Sequence, residues 1–163
     1  TARTMWSFGV RPGDVIQNGF SYGLWVAGMS THYAAKRLDC FVIPIGASMT
    51  GRQIDYMLNP GSTVILCTPS FALHIAENLG EREVRPEQLK LRLGCFGGEG
   101  GTEAAATRAK IERGLGIDAY DYYGLAEIAP TFASECPAKA ITLMHFTDAQ
   151  IIAQETALAL AAG

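Results

Sequence analysis

Short apolar runs alternate with longer segments of helical composition along most of this chain, the order that a parallel sheet with crossover helices requires. Val15 to Asn18 reads as the first strand, led in by the turn Arg11-Pro12-Gly13-Asp14, where proline fixes φ and glycine supplies a positive φ. Tyr22 to Leu38 reads as a helix apolar on nearly every face, with Leu24, Trp25, Val26, Met29 and Tyr33, so deep burial is expected of it. Cys40 to Ile45 is the second strand. Thr50 to Leu58 reads as a helix capped by Thr50, with Ile54, Met57 and Leu58 on one face and a stop at Asn59-Pro60-Gly61. Thr63 to Thr68 is the third strand, and Ser70 is placed to cap a helix running to about Leu79.

Glu81 to Lys90 is a polar connector, and Leu91 to Phe96 is the fourth strand. The stretch Gly97-Gly98-Glu99-Gly100-Gly101 follows, then Thr102 as a cap for a helix to Leu115 that ends at Gly116. Ile117 to Tyr122 is the fifth strand. After Tyr123 the pattern loosens into a loop with Pro130 and Pro137, and strand-like runs at Ile141 to Phe146 and Ala149 to Ala153 point to a separate antiparallel piece. Glu155 to Gly163, mostly Ala and Leu without a cap, is expected to fray. The pattern predicts an α/β fold: a layered parallel sheet with helices on both faces over residues 1–136, and a small β-rich C-terminal piece with a tail over 137–163.

With 163 residues, 48% of them hydrophobic, one compact domain is expected. The formal charge of -3 and scattered Lys and Arg create no field for a nucleic acid partner. No apolar run approaches the roughly 20 residues of a membrane span, and Thr1 to Phe8 lacks the grading of a signal peptide, so a cytoplasmic location without membrane partners is expected. Cys40, Cys67, Cys95 and Cys136 are too widely spaced for a paired-cysteine zinc motif and read as buried thiols. A metal pair of Cys136 and His145 is the competing reading, and two ligands alone do not make a site.

Ligands of an open parallel sheet bind beyond the carboxyl ends of its strands. That rule selects Gly19 to Gly23, Gly46 to Met49, Gly97 to Gly101 and Tyr123 to Ile128. The glycine loop at 97–101 has room for a ligand near its backbone and is followed by a helix start whose amides favour anions, so it reads either as a nucleotide site or as a tight connection. Glu99 would not help a phosphate, but it can hydrogen-bond a base or a ribose. The Rossmann glycine pattern fails because Glu103 stands three residues after Gly100, and the Walker spacing of Gly46 and Gly51 fails because Arg52-Gln53 follows. No nucleophile elbow or paired-histidine zinc motif occurs, and His32, His74 and His145 read as structural.

Asp121-Tyr122-Tyr123-Gly124-Leu125-Ala126-Glu127 carries the most information. Tyr-Gly-x-(Ser/Thr/Ala)-Glu after a strand resembles the signature of adenylate-forming enzymes, where an aromatic ring flanks adenine and the glutamate helps hold magnesium. Gly97-Gly98-Glu99 with Thr102, about 25 residues upstream, resembles the Gly-Ala-Glu-Pro-Trp-Thr stretch of the phenylacetate-CoA ligase family. Val10 to Asp14, Tyr22-Gly23-Leu24, His32-Tyr33, Val42 to Ile45, Cys67 to Ser70 and Glu135-Cys136 extend the likeness to about Cys136.

The resemblance implies a subdomain of an adenylation domain and an ATP-dependent reaction. An aryl carboxylate attacks the α-phosphate to form an acyl-adenylate, and the thiol of coenzyme A then displaces AMP. It implies ATP, Mg2+ and coenzyme A as cofactors or co-substrates and a small aryl carboxylic acid as partner. Gly98, Glu99, Gly100, Asp121, Tyr122, Tyr123, Gly124 and Glu127 would bind nucleotide, with Glu127 also on the metal. Phe20, Tyr22, Gly23, Ala126 and Ile128 would line the acid pocket, although Phe20 and Tyr22 read equally well as core aromatics.

The family's phosphate loop and its lysine-bearing C-terminal domain have no counterpart here, and Gly100-Gly101 replaces the family's Pro-Trp. The isolated chain is therefore expected to be inactive. A non-enzymatic nucleotide- or partner-binding module is the alternative, and the identity of the acid stays open. Oligomeric state is open too, although uncovered apolar helix faces would favour a homo-oligomer.

Overall fold

The computed structural model describes residues 1–135, 139 and 144–145. Its strands are β1 (Val15–Asn18), β2 (Phe41–Ile43), β3 (Val64–Cys67), β4 (Leu93–Phe96), β5 (Asp118–Leu125), β6 (Ala129–Ser134) and β7 (Met144–His145). They form one sheet in the order β2-β1-β3-β4-β5-β6-β7. Every pairing from β2 to β5 is parallel, while β5 with β6 and β6 with β7 are antiparallel. β3 and β4 are buried at all positions, which is why they read as unbroken apolar runs rather than as alternating ones.

Helices cover both faces. On one side α1 (Ala2–Ser7) and α2 (Val26–Arg37) bring Met5, Phe8, Ala34 and Ala35 onto Ile16, Leu66, Cys95 and Tyr120. On the other, α3 (Thr50–Leu58), α4 (Pro69–Glu81) and α5 (Ala105–Leu115) bring Ile54, Ile75, Leu79, Ile111 and Leu115 onto Ile65, Cys67, Phe96 and Ala119. Successive residues such as Ile65 and Leu66 fall into opposite cores, as the two-residue period of a strand demands. The α/β class and the five parallel strands agree with the sequence pattern.

The expected burial of the second helix is overturned. α2 starts only at Val26, and it packs through Gly28, Thr31, Ala34 and Ala35. Trp25, Val26, Met29 and Tyr33 are exposed, as is Leu24 just before the helix. The cause is a close approach: a Cβ on Gly28 would stand 2.2 Å from the carbonyl oxygen of Ser21. A stripe of small residues lets the backbone press down there, and the bulky residues turn outward.

Three expected caps also fail. Thr50 is already helical, and Met49, at φ 53, is the N-cap of α3. Thr68 rather than Ser70 caps α4, its hydroxyl accepting from the Phe71 amide at 3.3 Å. Thr102 is fully buried ahead of α5, whose N-cap, Ala104, makes no side-chain bond. Gly116 does end α5, with φ 68. The polar connector holds a 3-10 turn at Pro86–Gln88.

The chain does not loosen at Tyr123. β5 runs on to Leu125 and turns into β6, and β7, inside the run expected as a strand at 141–146, pairs antiparallel with β6 at the edge of the same sheet. The strand expected at 149–153, the tail from 155 and Cys136 lie outside the described residues. Cys67 and Cys95 are buried free thiols and Cys40 is half-buried, and burial pushes all three thiols up from their ordinary range. No helix of the described residues is long and apolar enough to cross a membrane.

Candidate functional site

β5 changes partners half-way along. Asp118 to Asp121 pair in parallel with β4, and from Tyr122 onward the strand pairs antiparallel with β6. The change falls where β4 ends and its glycine loop begins. Beyond that point the β5–β6 hairpin and the glycine loop line one cavity.

Gly124 makes this hairpin possible. A Cβ there would lie 2.0 Å from the carbonyl oxygen of Pro130, and the strand register shifts between Tyr123 and Leu125. Tyr123 is exposed, its ring edge-on to Phe132 at 5.3 Å. Ala126 to Ile128 form the turn, with Glu127 exposed at its tip.

Between hairpin, glycine loop and the start of α2 lies a cavity of about 670 Å3. Its three walls are Leu24 to Ala27, then Gly98 to Gly100 with Glu103, and Asp121 to Glu127 with Pro130. Of the residues expected to bind nucleotide, all eight line this cavity, and so does Ala126. Phe20, Tyr22, Gly23 and Ile128 do not. Phe20 is 2% exposed and edge-on to Tyr122 at 6.2 Å, closing the sheet end beside β1. Tyr22 accepts a hydrogen bond from Asn18 Nδ2 at 2.7 Å and meets His32 Nδ1 at 3.1 Å, which also gives His32 a partner. Ile128 is 69% exposed on the hairpin turn.

Four carboxylic residues line the cavity (Glu99, Glu103, Asp121 and Glu127), and no lysine or arginine does among the described residues. Two of the four are engaged by backbone. Glu99 accepts from the Ser70 amide at 2.7 Å, near the start of α4, and Glu103 accepts from the Gly101 amide. The glycine loop is thus less open to an anion than the sequence suggested, because the chain's own carboxylate sits on its last amide. That amide in turn holds the Glu103 carboxyl below its usual range.

Asp121 differs from its neighbours. Burial first, then the charges of Glu135 and Glu103, push its carboxyl up to about 6, with Arg108 opposing. No group of three or more His, Cys, Asp or Glu able to hold a metal occurs among the described residues.

No family model matches the chain. The phenylacetate-coenzyme A ligase of Pseudomonas putida is 40% identical over 136 residues, 83% of this chain and 30% of that protein. Over that stretch the chain is similar to phenylacetate-coenzyme A ligases. The Escherichia coli K12 phenylacetate-coenzyme A ligase is 39% identical over 138 residues, covering 83% of this chain and 31% of that protein. A crystal structure of 2-hydroxyisobutyryl-CoA ligase, in complex with 2-HIB-AMP and CoA in the thioesterification state, matches with a TM-score of 0.84 and 26% identity. That match covers 90% of this chain and 32% of the other. The chain thus spans about 30% of the length of the curated relatives it matches.

Family likeness drew attention to the hairpin and the glycine loop but not to the third wall. Leu24, Trp25 and Val26 read from the sequence as buried helix residues, and only the outward turn at the start of α2 reveals them at the cavity. Glu103 and Pro130 were missed as well. A carboxylate two residues beyond a glycine cluster was the available signal for Glu103, since it is the length needed to reach back to the Gly101 amide.

Proposed function

We propose that this chain forms the nucleoside- and acid-facing part of an ATP-dependent acid–thiol ligase acting on an aryl carboxylic acid of the phenylacetate type. The observation that carries the reading is the single cavity in which the glycine loop, the Asp121–Glu127 hairpin and the apolar start of α2 meet. In the reaction the acid's carboxylate oxygen bonds the α-phosphorus and pyrophosphate leaves. The sulfur of coenzyme A then bonds the acyl carbon, and AMP leaves.

Each wall has a distinct task in this reading. The exposed ring of Tyr123 stacks on adenine, for which a flat π-face suffices. Asp121, when ionised, accepts hydrogen bonds from the ribose or the base amine. Leu24, Trp25 and Val26 offer apolar surface to the ring of the acid. Glu127, exposed on the rim, suits Mg2+, which takes one or two protein carboxylates together with substrate phosphates. When bound, the ion offsets the charge that builds up as carboxylate and phosphate meet.

The acidic lining also explains why we expect the chain by itself to bind nucleotide without ligating the acid. Four carboxylic residues and no cation face the cavity among the described residues, so nothing there neutralises a triphosphate. The chain incubated with ATP, Mg2+, coenzyme A and phenylacetate should form no thioester, and product above background would refute this part.

Ligand-observed NMR with AMP tests the site itself. AMP should bind at millimolar concentration, and Tyr123→Ala should weaken it by about five-fold or more, the loss expected of one base–aromatic stack. Absence of binding in the unmodified chain would remove the nucleotide reading.

A further inference from the structure

Bonded to the backbone of Asp121, and outside the cavity lining, lies a buried ion pair that the catalytic reading leaves unused. Arg108 Nη2 of α5 donates to Glu135 Oε1 at 2.5 Å, with the side chains 14% and 7% exposed. The second oxygen of Glu135 accepts from the Asp121 amide at 2.9 Å, and the Glu135 amide donates back to the Asp121 carbonyl at 3.0 Å. Arg108 Nε donates to the carbonyl of Thr102, at the end of the glycine loop, at 2.9 Å. Two side chains therefore join four parts of the fold: α5, the end of the glycine loop, β5 and the residue that follows β6.

Resting on the nucleotide reading above, we infer that Arg108 and Glu135 are positioning residues for the ligand. Their ion pair clamps the glycine loop to β5, and its two charges set the field at the Asp121 carboxyl. The geometry favours a role beyond support. A buried ion pair adds little stability over an apolar pair of the same size, so its location is the more informative fact. This pair is hydrogen-bonded to the backbone of both walls that hold nucleotide. A guanidinium fork suits the task because it reaches a carboxylate and a carbonyl at once in fixed directions.

Charges facing Asp121 come from each surrounding element: Glu135 after β6, Arg108 on α5 and Glu103 on the turn before α5. Glu99 of the glycine loop and Glu127 of the hairpin turn line the same cavity. If Asp121 holds nucleotide in its ionised form, binding is present above about pH 6 and lost as pH falls through that value. Removing the Glu135 charge makes ionisation easier and carries binding to lower pH. Removing the Arg108 charge has the opposite effect.

The test follows the Asp121 carboxyl by 13C NMR titration, without nucleotide, in the unmodified chain, Glu135→Gln and Arg108→Gln, and then AMP affinity across pH 4.5 to 8. The expected result is opposite displacement in the two variants, by roughly half a pH unit or more, with the AMP midpoint following each time. Unchanged Asp121 titration in a folded variant overturns the inference whether or not AMP binds. Opposite displacement without AMP binding at any pH overturns the nucleotide reading and the positioning role with it, but leaves the clamp. Should Glu135→Gln fail to fold by circular dichroism, displacement toward higher pH in Arg108→Gln decides alone.

Discussion

α2 and α4 lie on opposite faces of the same sheet and solve the packing problem in opposite ways. α4 buries Ala72, Ile75 and Leu79 at helical spacing and leaves its polar residues outside. α2 buries Gly28, Thr31, Ala34 and Ala35, and it exposes Met29 and Tyr33, with Trp25 exposed at its N-cap. A count of apolar residues does not separate the two helices, which hold six each. Spacing finds the buried face of both, because the stripe 28, 31, 35 is as regular as 72, 75, 79 and the residues on it are merely small.

The comparison can be broken at its strongest point first. Leu79→Ala in α4 should cost about 2–5 kcal/mol in chemical denaturation, the usual toll of truncating a fully buried leucine. On α2 the sensitive change runs the other way. Gly28→Ala adds one methyl group where the Ser21 carbonyl stands 2.2 Å away, and it should cost about 1–3 kcal/mol by overpacking. A neutral Gly28→Ala would mean that α2 sits farther from the 21–22 segment than described, and the small-residue account would fall.

Helix starts sharpen the contrast. Thr68→Ala removes the N-cap bond to the Phe71 amide, leaving only the Glu99 carboxylate on the Ser70 amide at the start of α4, and should cost about 1 kcal/mol. Trp25 caps α2 with backbone alone, so Trp25→Ala should leave the melting curve nearly unchanged while weakening whatever apolar ligand enters the cavity. Equal losses of stability from both substitutions would contradict the assignment of Trp25 to the cavity wall.

The same contrast explains what was legible in the sequence. Strands β1 to β4 lie within two residues of the sequence reading, and for β3 and β4 the reason is that apolar runs buried at every position leave no room for another reading. Helix α3 was placed to the residue, from its stop at Asn59-Pro60-Gly61. α1 went unseen, since six residues hold too little periodicity to register. β5 runs three residues past the sequence reading, which ends at Tyr122 because the pattern loosens toward Pro130, whereas Gly124, lacking a Cβ, continues the strand through the close crossing with Pro130. Among the motif residues of the cavity, Gly98 to Gly100 follow the end of β4 as the rule for parallel sheets expects, whereas Asp121 to Gly124 lie within β5 and stand out by the family likeness. Arg108 and Glu135 were not assigned a place, because an ion pair between residues 27 apart depends on how the hairpin folds back onto α5.

The smallest expected effect tests what covers the outer face of α2. Met29 and Tyr33 are 41% and 62% exposed, so Met29→Gln and Tyr33→Ser should each change stability by less than about 0.5 kcal/mol. Denaturation at two protein concentrations makes this measurement decisive. If the face is bare, neither substitution nor concentration matters, and solubility improves as apolar area is replaced. If a second copy covers it, the unmodified chain gains stability with concentration, and the substitutions remove that gain, because association couples to folding by mass action. The two helices would then differ less than they do within one chain, with α2 burying its small stripe against the sheet and its large residues against a partner.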